Sequence, residues 1–172
     1  MPRSRGEPAQ IYSGANSEAT VDERARRAFS VDVGTEASRT VELALDGLRE
    51  DLSRHFHRSL SEREPSNYLV YGPGSFFAPH RDRATKARAS LDEAQREVAA
   101  VIFVSPPRIV GATGYLGGEL RFYGLLDGRE WHDVGFGCDA TPGLLVAFPA
   151  DTLHEVTPVT AGHRCTIVTW FR

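Results

Sequence analysis

The sequence predicts a mainly β domain of the sandwich or jelly-roll type, with a supporting helix near its N-terminus. Its 172 residues suit one domain with a substantial core. An apolar stripe of helical spacing precedes Pro65, and beyond that residue the pattern changes to short β segments separated by glycine and proline. Seven or eight short strands with such turns are typical of a sandwich or jelly roll, whereas parallel α/β folds alternate strands with helices.

The predicted helix carries its apolar side chains at intervals of three and four residues, which places them on one face. These residues are Val41, Leu45, Leu48, Leu52 and Phe56. Thr35 is the expected N-cap and Glu36 falls in the first turn, where a negative charge is favourable. We expect this helix to support the sheet.

The β segments continue to the end of the sequence. Strands are expected near 67–71, 76–82, 97–104, 117–123, 130–136, 143–148, 153–158 and 163–171. Two stretches, 83–96 and 105–116, interrupt the rhythm. Long connections in a compact β domain are usually lids or binding loops.

The N-terminal region differs from the rest in composition. Residues 1–20 are rich in proline, glycine, serine and charge, and we expect a loose arm there. Residues 21–172 are expected to form a single domain, whose motif-bearing core is 65–172.

Composition narrows the class of partner. The net charge of −3 gives no general attraction to nucleic acid or to an anionic membrane, so neither is expected as a partner. The basic N-terminal residues precede no apolar signal segment. Cys138 and Cys165 do not make a disulfide framework, and a reduced, cytoplasmic location is expected.

The segment PHRD at 79–82 contains a candidate metal site. Residues two apart on a strand point to the same face, so His80 and Asp82 are able to reach one ion. His154, in the later segment LHEV, would complete a triad of two histidines and one carboxylate, which suits non-haem Fe(II). Asp151 is an alternative carboxylate, but it lies an odd number of residues from His154 and would tend to point away.

A candidate anion receptor follows ten residues after His154. If the strands around His154 and Arg164 form a hairpin, the even spacing allows both side chains to face inward. An inward arginine beside a metal is costly unless it meets an anion, and Thr166 adds a hydroxyl on the same face. Such a pair suits the carboxylate of a chelating keto-dicarboxylate.

Three motifs, in order, carry a family resemblance. They are YGPGSFFAPHRD (71–82), GGELRF (117–122) and HEVTPVTAGHR (154–164). Together they resemble the Fe(II)/2-oxoglutarate oxygenases of the prolyl 4-hydroxylase type over about residues 65–172. The resemblance implies a double-stranded β-helix (jelly roll) and a reaction that uses Fe(II), 2-oxoglutarate and O2.

The resemblance also implies roles for individual residues. It makes His80, Asp82 and His154 the iron ligands and Arg164 the partner of the distal 2-oxoglutarate carboxylate. Tyr71 falls where the family often has a tyrosine that contacts the cosubstrate, and Trp170 falls at an often aromatic position where packing is expected.

The sequence departs from the family at two aromatic positions. Phe77 and Phe103 stand where relatives often carry tyrosines, and the second of these hydroxyls helps to hold the distal carboxylate. Thr166 or Tyr71 would have to supply the hydroxyl that Phe103 lacks. Asp82, absent from halogenating relatives, favours hydroxylation.

We expect the substrate to be a small molecule, such as an amino acid or a biosynthetic intermediate. A protein or peptide prolyl hydroxylase is the alternative, and a non-catalytic jelly-roll protein that retains the metal is the alternative of another class. Four residues are predicted to line the substrate mouth: Arg108, Tyr115, Arg121 and Trp131.

Overall fold

Helices precede the main strands, and most of the ordered elements are β. The structure is a computed structural model that describes residues 7–8, 11–12, 19–20, 25–84, 91–108 and 113–172. Over these residues the chain is mainly β with helical support near the N-terminus, as the sequence predicts. None of the described helices is long and apolar enough to cross a bilayer.

The elements are short. The helices are α1 (Thr35–Gly47), α2 (Arg49–Phe56) and α3 (Leu91–Ala94), with a 3-10 helix at Arg129–Trp131. The early strands are β1 (Glu7–Pro8), β2 (Ile11–Tyr12), β3 (Ala19–Thr20), β4 (Arg26–Arg27) and β5 (Phe29–Ser30). The later strands are β6 (Asn67–Tyr71), β7 (Phe76–His80), β8 (Val98–Phe103), β9 (Tyr115–Gly117), β10 (Leu120–Phe122), β11 (Phe136–Gly137), β12 (Leu145–Pro149), β13 (His154–Val156), β14 (Val159–Gly162) and β15 (Arg164–Phe171).

Two antiparallel sheets contain most of these strands. The larger has the order β1-β5-β6-β15-β8-β12, and the smaller has the order β11-β10-β13-β7-β4. Two further pairs, β14 with β9 and β2 with β3, complete the described sheets. Consecutive strands therefore often lie in different sheets, which brings the two faces of the core from distant parts of the sequence.

The core lies between the two sheets. On the larger sheet Ala99, Val101 and Phe103 of β8 point inward, and they pack against Leu120 and Phe122 of β10. Val98 and Ala100, which alternate with them, point outward instead. β8 is therefore buried on both faces, and a second layer of the chain must cover its outer side.

The helical segment covers that outer face. Leu52 and Phe56 of α2 pack against the cluster that contains Val98, Ala100 and Phe171. Leu52 and Phe56 of the predicted apolar face therefore support the larger sheet, but the single helix expected from the sequence is two helices, α1 and α2, that meet at Leu48. Leu45 of α1 is almost fully buried, at 1% exposure.

Two local predictions are wrong. Gly34, with φ of +79°, is the N-cap of α1, so Thr35 is already inside the helix. The predicted strand 130–136 is a 3-10 helix and turn over most of its length, with only Phe136 in β11, and Trp131 and Val134 remain exposed. Gly128, with φ of +114°, starts that turn, and these residues offer no alternating buried face.

Residues of the predicted N-terminal arm take part in the larger sheet. Glu7–Pro8 pairs with Phe29–Ser30, and that strand pairs with Leu69 and Val70 of β6. The remainder of 1–20 lies largely outside the described residues.

Replacing Leu45 with alanine should lower the free energy of unfolding by about 2–5 kcal/mol, because it leaves a cavity beneath α1. Leu43, which is 63% exposed on the same helix, provides the control, and Leu43→Ala should change stability by less than about 0.5 kcal/mol. Urea unfolding of the two variants measures both. Equal losses would contradict the assignment of the buried face.

Candidate functional site

Two histidines face each other across a strand pair. His80, the last residue of β7, is in direct register with His154, the first residue of β13, and their ring centroids are 4.2 Å apart. Each Nδ1 lies beside the carbonyl oxygen two residues earlier, at 2.8 Å from Ala78 and 2.9 Å from Thr152. Since a carbonyl only accepts, each Nδ1 carries a proton and donates it. Both Nε2 atoms are then oriented toward a common point.

Asp82 completes this cluster from beyond the end of β7. Its Oδ1 lies 3.4 Å from His80 Nε2, and its Oδ2 lies 3.7 Å from His154 Nε2. One ligand atom from each of the three residues falls within 4.8 Å of the others. Arg81 points outward and donates to the main-chain carbonyl of Asp151. Asp151, the alternative carboxylate, is itself exposed.

The protonation states suit a cation. Burial alone would raise the pKa of Asp82, but the proximity of His80 and His154 outweighs burial and holds that pKa well below its usual range. Burial lowers the pKa of His154 and so favours its neutral, metal-binding form. An ionised carboxylate and two imidazole nitrogens form a donor set that fits a divalent transition metal with open positions.

Aromatic rings fix the imidazole planes. Phe77 stacks on His80 with centroids 3.5 Å apart, and Phe148 meets His154 edge-on at 4.8 Å. These contacts limit the rotation of each imidazole about its side-chain bonds.

Arg164 is a buried cation, and no acidic side chain of the described residues pairs with it. It is 1% exposed, and its Nη1 donates to Thr166 Oγ1 at 3.4 Å. Its Nε and Nη2 have no hydrogen-bond partner among the described residues. The rings of Tyr71 and Phe103 lie 5.2 and 5.3 Å from its Cζ, and burial lowers its pKa. Each unsatisfied buried donor costs about 1–3 kcal/mol, so the guanidinium is built to receive an anion such as a carboxylate.

Tyr115 lies beside this arginine. The sequence prediction put Tyr115 at the edge of the substrate mouth, but the residue is 2% exposed and its hydroxyl faces the Arg164 guanidinium. Burial raises the pKa of Tyr115, and the nearby Arg164 charge opposes that rise. The interval 105–116 was predicted as a loop, whereas Tyr115 begins β9 and pairs with Gly162.

Gly118 makes room for the arginine. The residue has φ of +61°, and a Cβ there would lie 3.0 Å from Arg164 Cδ and 2.7 Å from Val159 Cγ2. Gly117 ends β9, and Gly118 lies in the short connection to β10. A side chain at 118 would press directly on Arg164.

A single small cavity joins the two halves of the site. It is about 40 Å³ and is lined by residues of both sheets. Its lining includes the three-residue cluster and the arginine pocket: His80, Asp82, His154, Arg164, Thr166 and Tyr71. A wider cleft of about 630 Å³ opens from His80 and Asp82 to the surface.

The hairpin that the sequence prediction assumed is wrong. β13, with His154, belongs to the smaller sheet, and β15, with Arg164, belongs to the larger. Each strand turns its side chain into the space between the sheets, so the two residues meet across the core. The intervening β14 pairs with β9, which separates the two strands.

The residues that line the wide cleft differ from those predicted to line the substrate mouth. Arg108, Arg121 and Trp131 are exposed, and none belongs to the lining of either cavity described above. Arg121 pairs instead with Glu119 on the surface. The described residues of the cleft that sequence reasoning missed are Arg26, Glu64, Glu93, Arg96 and Trp170. Glu93 and Arg96 end the stretch 83–96, of which 85–90 lies outside the described residues.

Comparison with known proteins agrees with this geometry. The family model described as the 2OG-Fe(II) oxygenase superfamily matches residues 66–172. A PKHD-type hydroxylase of Teredinibacter turnerae is 29% identical over 111 residues, which is 63% of this chain and 42% of that protein. The chain thus spans less than half the length of this relative.

Solved structures are similar over more of the chain. A prolyl-4-hydroxylase of Pseudomonas putida is 26% identical with a TM-score of 0.65, over 87% of this chain and 74% of that one. A Trichoplax adhaerens prolyl hydroxylase, solved with a hypoxia inducible factor peptide fragment, has a TM-score of 0.69 at 20% identity, over 96% and 70% of the two chains.

Replacing Gly118 with alanine should lower the free energy of unfolding by about 2–5 kcal/mol, which combines about 1–2 kcal/mol for a left-handed backbone with about 1–3 kcal/mol for overpacking against Arg164. Gly124 is the matched control, because its φ is +65° and a Cβ there would meet nothing within 4 Å. Gly124→Ala should show the backbone cost alone. Equal losses in urea unfolding would mean that Gly118 is required for its backbone conformation only.

Proposed function

Since the chain belongs to the 2OG-Fe(II) oxygenase superfamily, we propose that it is an Fe(II)- and 2-oxoglutarate-dependent dioxygenase that hydroxylates a C–H bond of a small molecule, such as an amino acid or a biosynthetic intermediate. One observation carries this proposal. A buried arginine, two of whose donor nitrogens have no partner among the described residues, lines the same small cavity as a His-Asp-His cluster. A carboxylate held by the arginine and a metal held by the cluster are the two requirements of such a reaction.

The three ligands in this proposal are His80, Asp82 and His154. Bound Fe(II) and 2-oxoglutarate supply the oxidising chemistry, in which O2 converts 2-oxoglutarate to succinate and CO2 and leaves one oxygen atom for the substrate C–H bond. The protein orients the ligands through the two Nδ1–H bonds and excludes water by burying His154 and Asp82.

The distal carboxylate of the cosubstrate is assigned to Arg164. Thr166 and Tyr115 lie beside its guanidinium, and either hydroxyl is able to replace the one that Phe103 lacks. Tyr71 contributes its ring face to the same charge. These contacts would add to the arginine fork, which binds a carboxylate with two parallel hydrogen bonds.

The wide cleft supports a small, polar substrate. Its volume of about 630 Å³ falls within the usual range for small-molecule sites, about 300–1,000 Å³. Its lining has both signs of charge, including Arg26, Arg96, Glu64 and Glu93. The second candidate is a prolyl hydroxylase acting on a peptide, which the likeness to the Pseudomonas putida enzyme favours.

The remaining inferences concern fold, domain and location. We infer a double-stranded β-helix, which the opposed antiparallel sheets and the likeness to solved prolyl hydroxylases support. Residues 21–172 are proposed as one domain. A cytoplasmic location is supported by the two free thiols, Cys138 and Cys165.

The purified chain, mixed anaerobically with Fe(II) and then with 2-oxoglutarate, should give a visible charge-transfer absorption band. His154→Ala should abolish the band because it removes one metal ligand. His163→Ala is the control, since it removes an exposed imidazole from the same segment and should leave the band intact. Iron binding by the wild-type chain without any band would contradict the proposal.

Turnover then separates the candidate functions. Succinate release that increases with an amino acid or related small molecule supports the first, and release that increases only with a proline-containing peptide supports the second. A chain that gives the absorption band but forms no succinate with either class of substrate would be the non-catalytic metal-binding protein.

Arg164→Met should weaken 2-oxoglutarate binding by about 1.5–3 kcal/mol, or about 10- to 150-fold in Kd, while Fe(II) affinity stays unchanged. The same variant without cosubstrate should keep its free energy of unfolding within about 1 kcal/mol of the wild type, because it removes a buried, uncompensated charge. Calorimetry and urea unfolding measure the two quantities. A stability loss of several kcal/mol with intact cosubstrate affinity would make Arg164 a structural residue.

A further inference from the structure

Asp82 is held differently from the two histidines. His80 and His154 lie on paired strands in direct register, whereas Asp82 lies two residues beyond the end of β7. The strand ladder therefore does not set the direction of its carboxylate. The nearest backbone anchor is the Arg83 N–H, which donates to the Ala150 carbonyl at 2.8 Å. Contacts from outside the strand pair have to orient the side chain.

Two residues reach Asp82 from the wide cleft. Arg96 Nη1 donates to the main-chain carbonyl of Asp82 at 3.3 Å, and the guanidinium lies 3.8 Å from the ring centroid of Trp170. The indole Nε1 of Trp170 is buried and lies beside the Asp82 carboxylate, and it has no hydrogen-bond partner within the described part of the chain. An unpaired buried donor destabilises the protein. A small rotation of the Asp82 carboxylate would give the indole N–H an acceptor.

Glu64 fixes the arginine that carries this contact. Its two carboxylate oxygens accept from Arg96 Nε at 2.8 Å and Nη2 at 2.7 Å, which is a two-pronged pair. The backbone of Glu64 is tied to β15, because its N–H donates to the Trp170 carbonyl at 2.8 Å and its carbonyl accepts from Thr169 Oγ1 at 2.6 Å. Buried ion pairs are rarely more stabilising than apolar residues of the same size, so this pair is better explained by what it positions.

We propose that Trp170, Arg96 and Glu64 are positioning residues that orient the Asp82 carboxylate for the metal. The inference rests on the proposed metal centre and assigns roles to residues outside the ligand set. After that rotation the indole N–H would donate to one carboxylate oxygen and leave the other for the ion. Glu64 neutralises Arg96, so that the guanidinium holds the Asp82 backbone and does not compete with the metal for the carboxylate.

The test is Co(II) binding to the metal-free full chain, followed by calorimetry and by the visible absorption bands of the bound Co(II). Trp170→Phe keeps an aromatic ring beneath Arg96 and removes only the donor. Glu64→Gln keeps the shape and removes the neutralising charge. Each variant should bind Co(II) about 10- to 100-fold more weakly than the wild type, with shifted absorption bands that report altered coordination.

Glu42→Gln is the matched control. Glu42 pairs with Arg63, whose side chain is 6% exposed, while the Glu42 side chain is 28% exposed. Its loss should lower the free energy of unfolding and leave Co(II) affinity and absorption unchanged. The double variant of Trp170 and Glu64 should lose less affinity than the product of the single losses, because both act on one carboxylate.

Wild-type Co(II) affinity and absorption in both single variants would overturn the inference. An equal loss of affinity in Glu42→Gln would also overturn it, since the effect would then follow stability alone. A wild-type chain that binds no Co(II) would do the same. Failure of the proposed function is a different result, in which Co(II) binds as expected but Fe(II) and 2-oxoglutarate give no absorption band.

Discussion

The buried charge of Arg164 is the constraint around which the interior of this protein is arranged. A guanidinium removed from water without a counter-ion is strongly disfavoured, and two of its donors find no acceptor among the described residues. The surrounding residues nevertheless pack closely against it, because Gly118 leaves room for its side chain and the Tyr71 ring and Thr166 hydroxyl lie beside it. In the proposed function, the carboxylate of 2-oxoglutarate would supply the missing acceptors and compensate the buried charge.

The metal cluster combines rigid and adjustable parts. The antiparallel register of β7 and β13 sets the separation of the two imidazoles, and each Nδ1–H bond to a carbonyl sets the tautomer. Asp82 has no such ladder, so its direction depends on side chains that reach in from the cleft. Residues that would contact a substrate and residues that orient a metal ligand are therefore neighbours. An occupant of the cleft would alter the surroundings of Asp82 directly.

Each of the two sheets contributes a different part of the candidate site. The smaller sheet carries His80 and His154, and the larger carries Arg164 and Thr166, so a bound cosubstrate would span the core from one sheet to the other. Binding would then tie the sheets together in the middle of the domain. The helical segment, which packs on the far side of the larger sheet, keeps the arginine strand from moving outward.

The sequence by itself indicated the candidate site residues, because the residue types and intervals of His80, Asp82, His154, Arg164 and Thr166 fit such a site. The expectation that His80 and Asp82 share one strand is wrong, since β7 ends at His80 and Asp82 follows it. Most of the strands were also predictable, since their apolar positions alternate. Only the tertiary structure decided how the parts meet. Strands that are close in sequence lie in different sheets, so the assumed hairpin between His154 and Arg164 does not exist, and Tyr115 turns inward to the arginine. Glu64, Arg96 and Trp170 converge on Asp82 from separate segments. No local pattern encodes such convergence, because it arises from long-range strand pairing, and sequence intervals describe only neighbours along one chain segment.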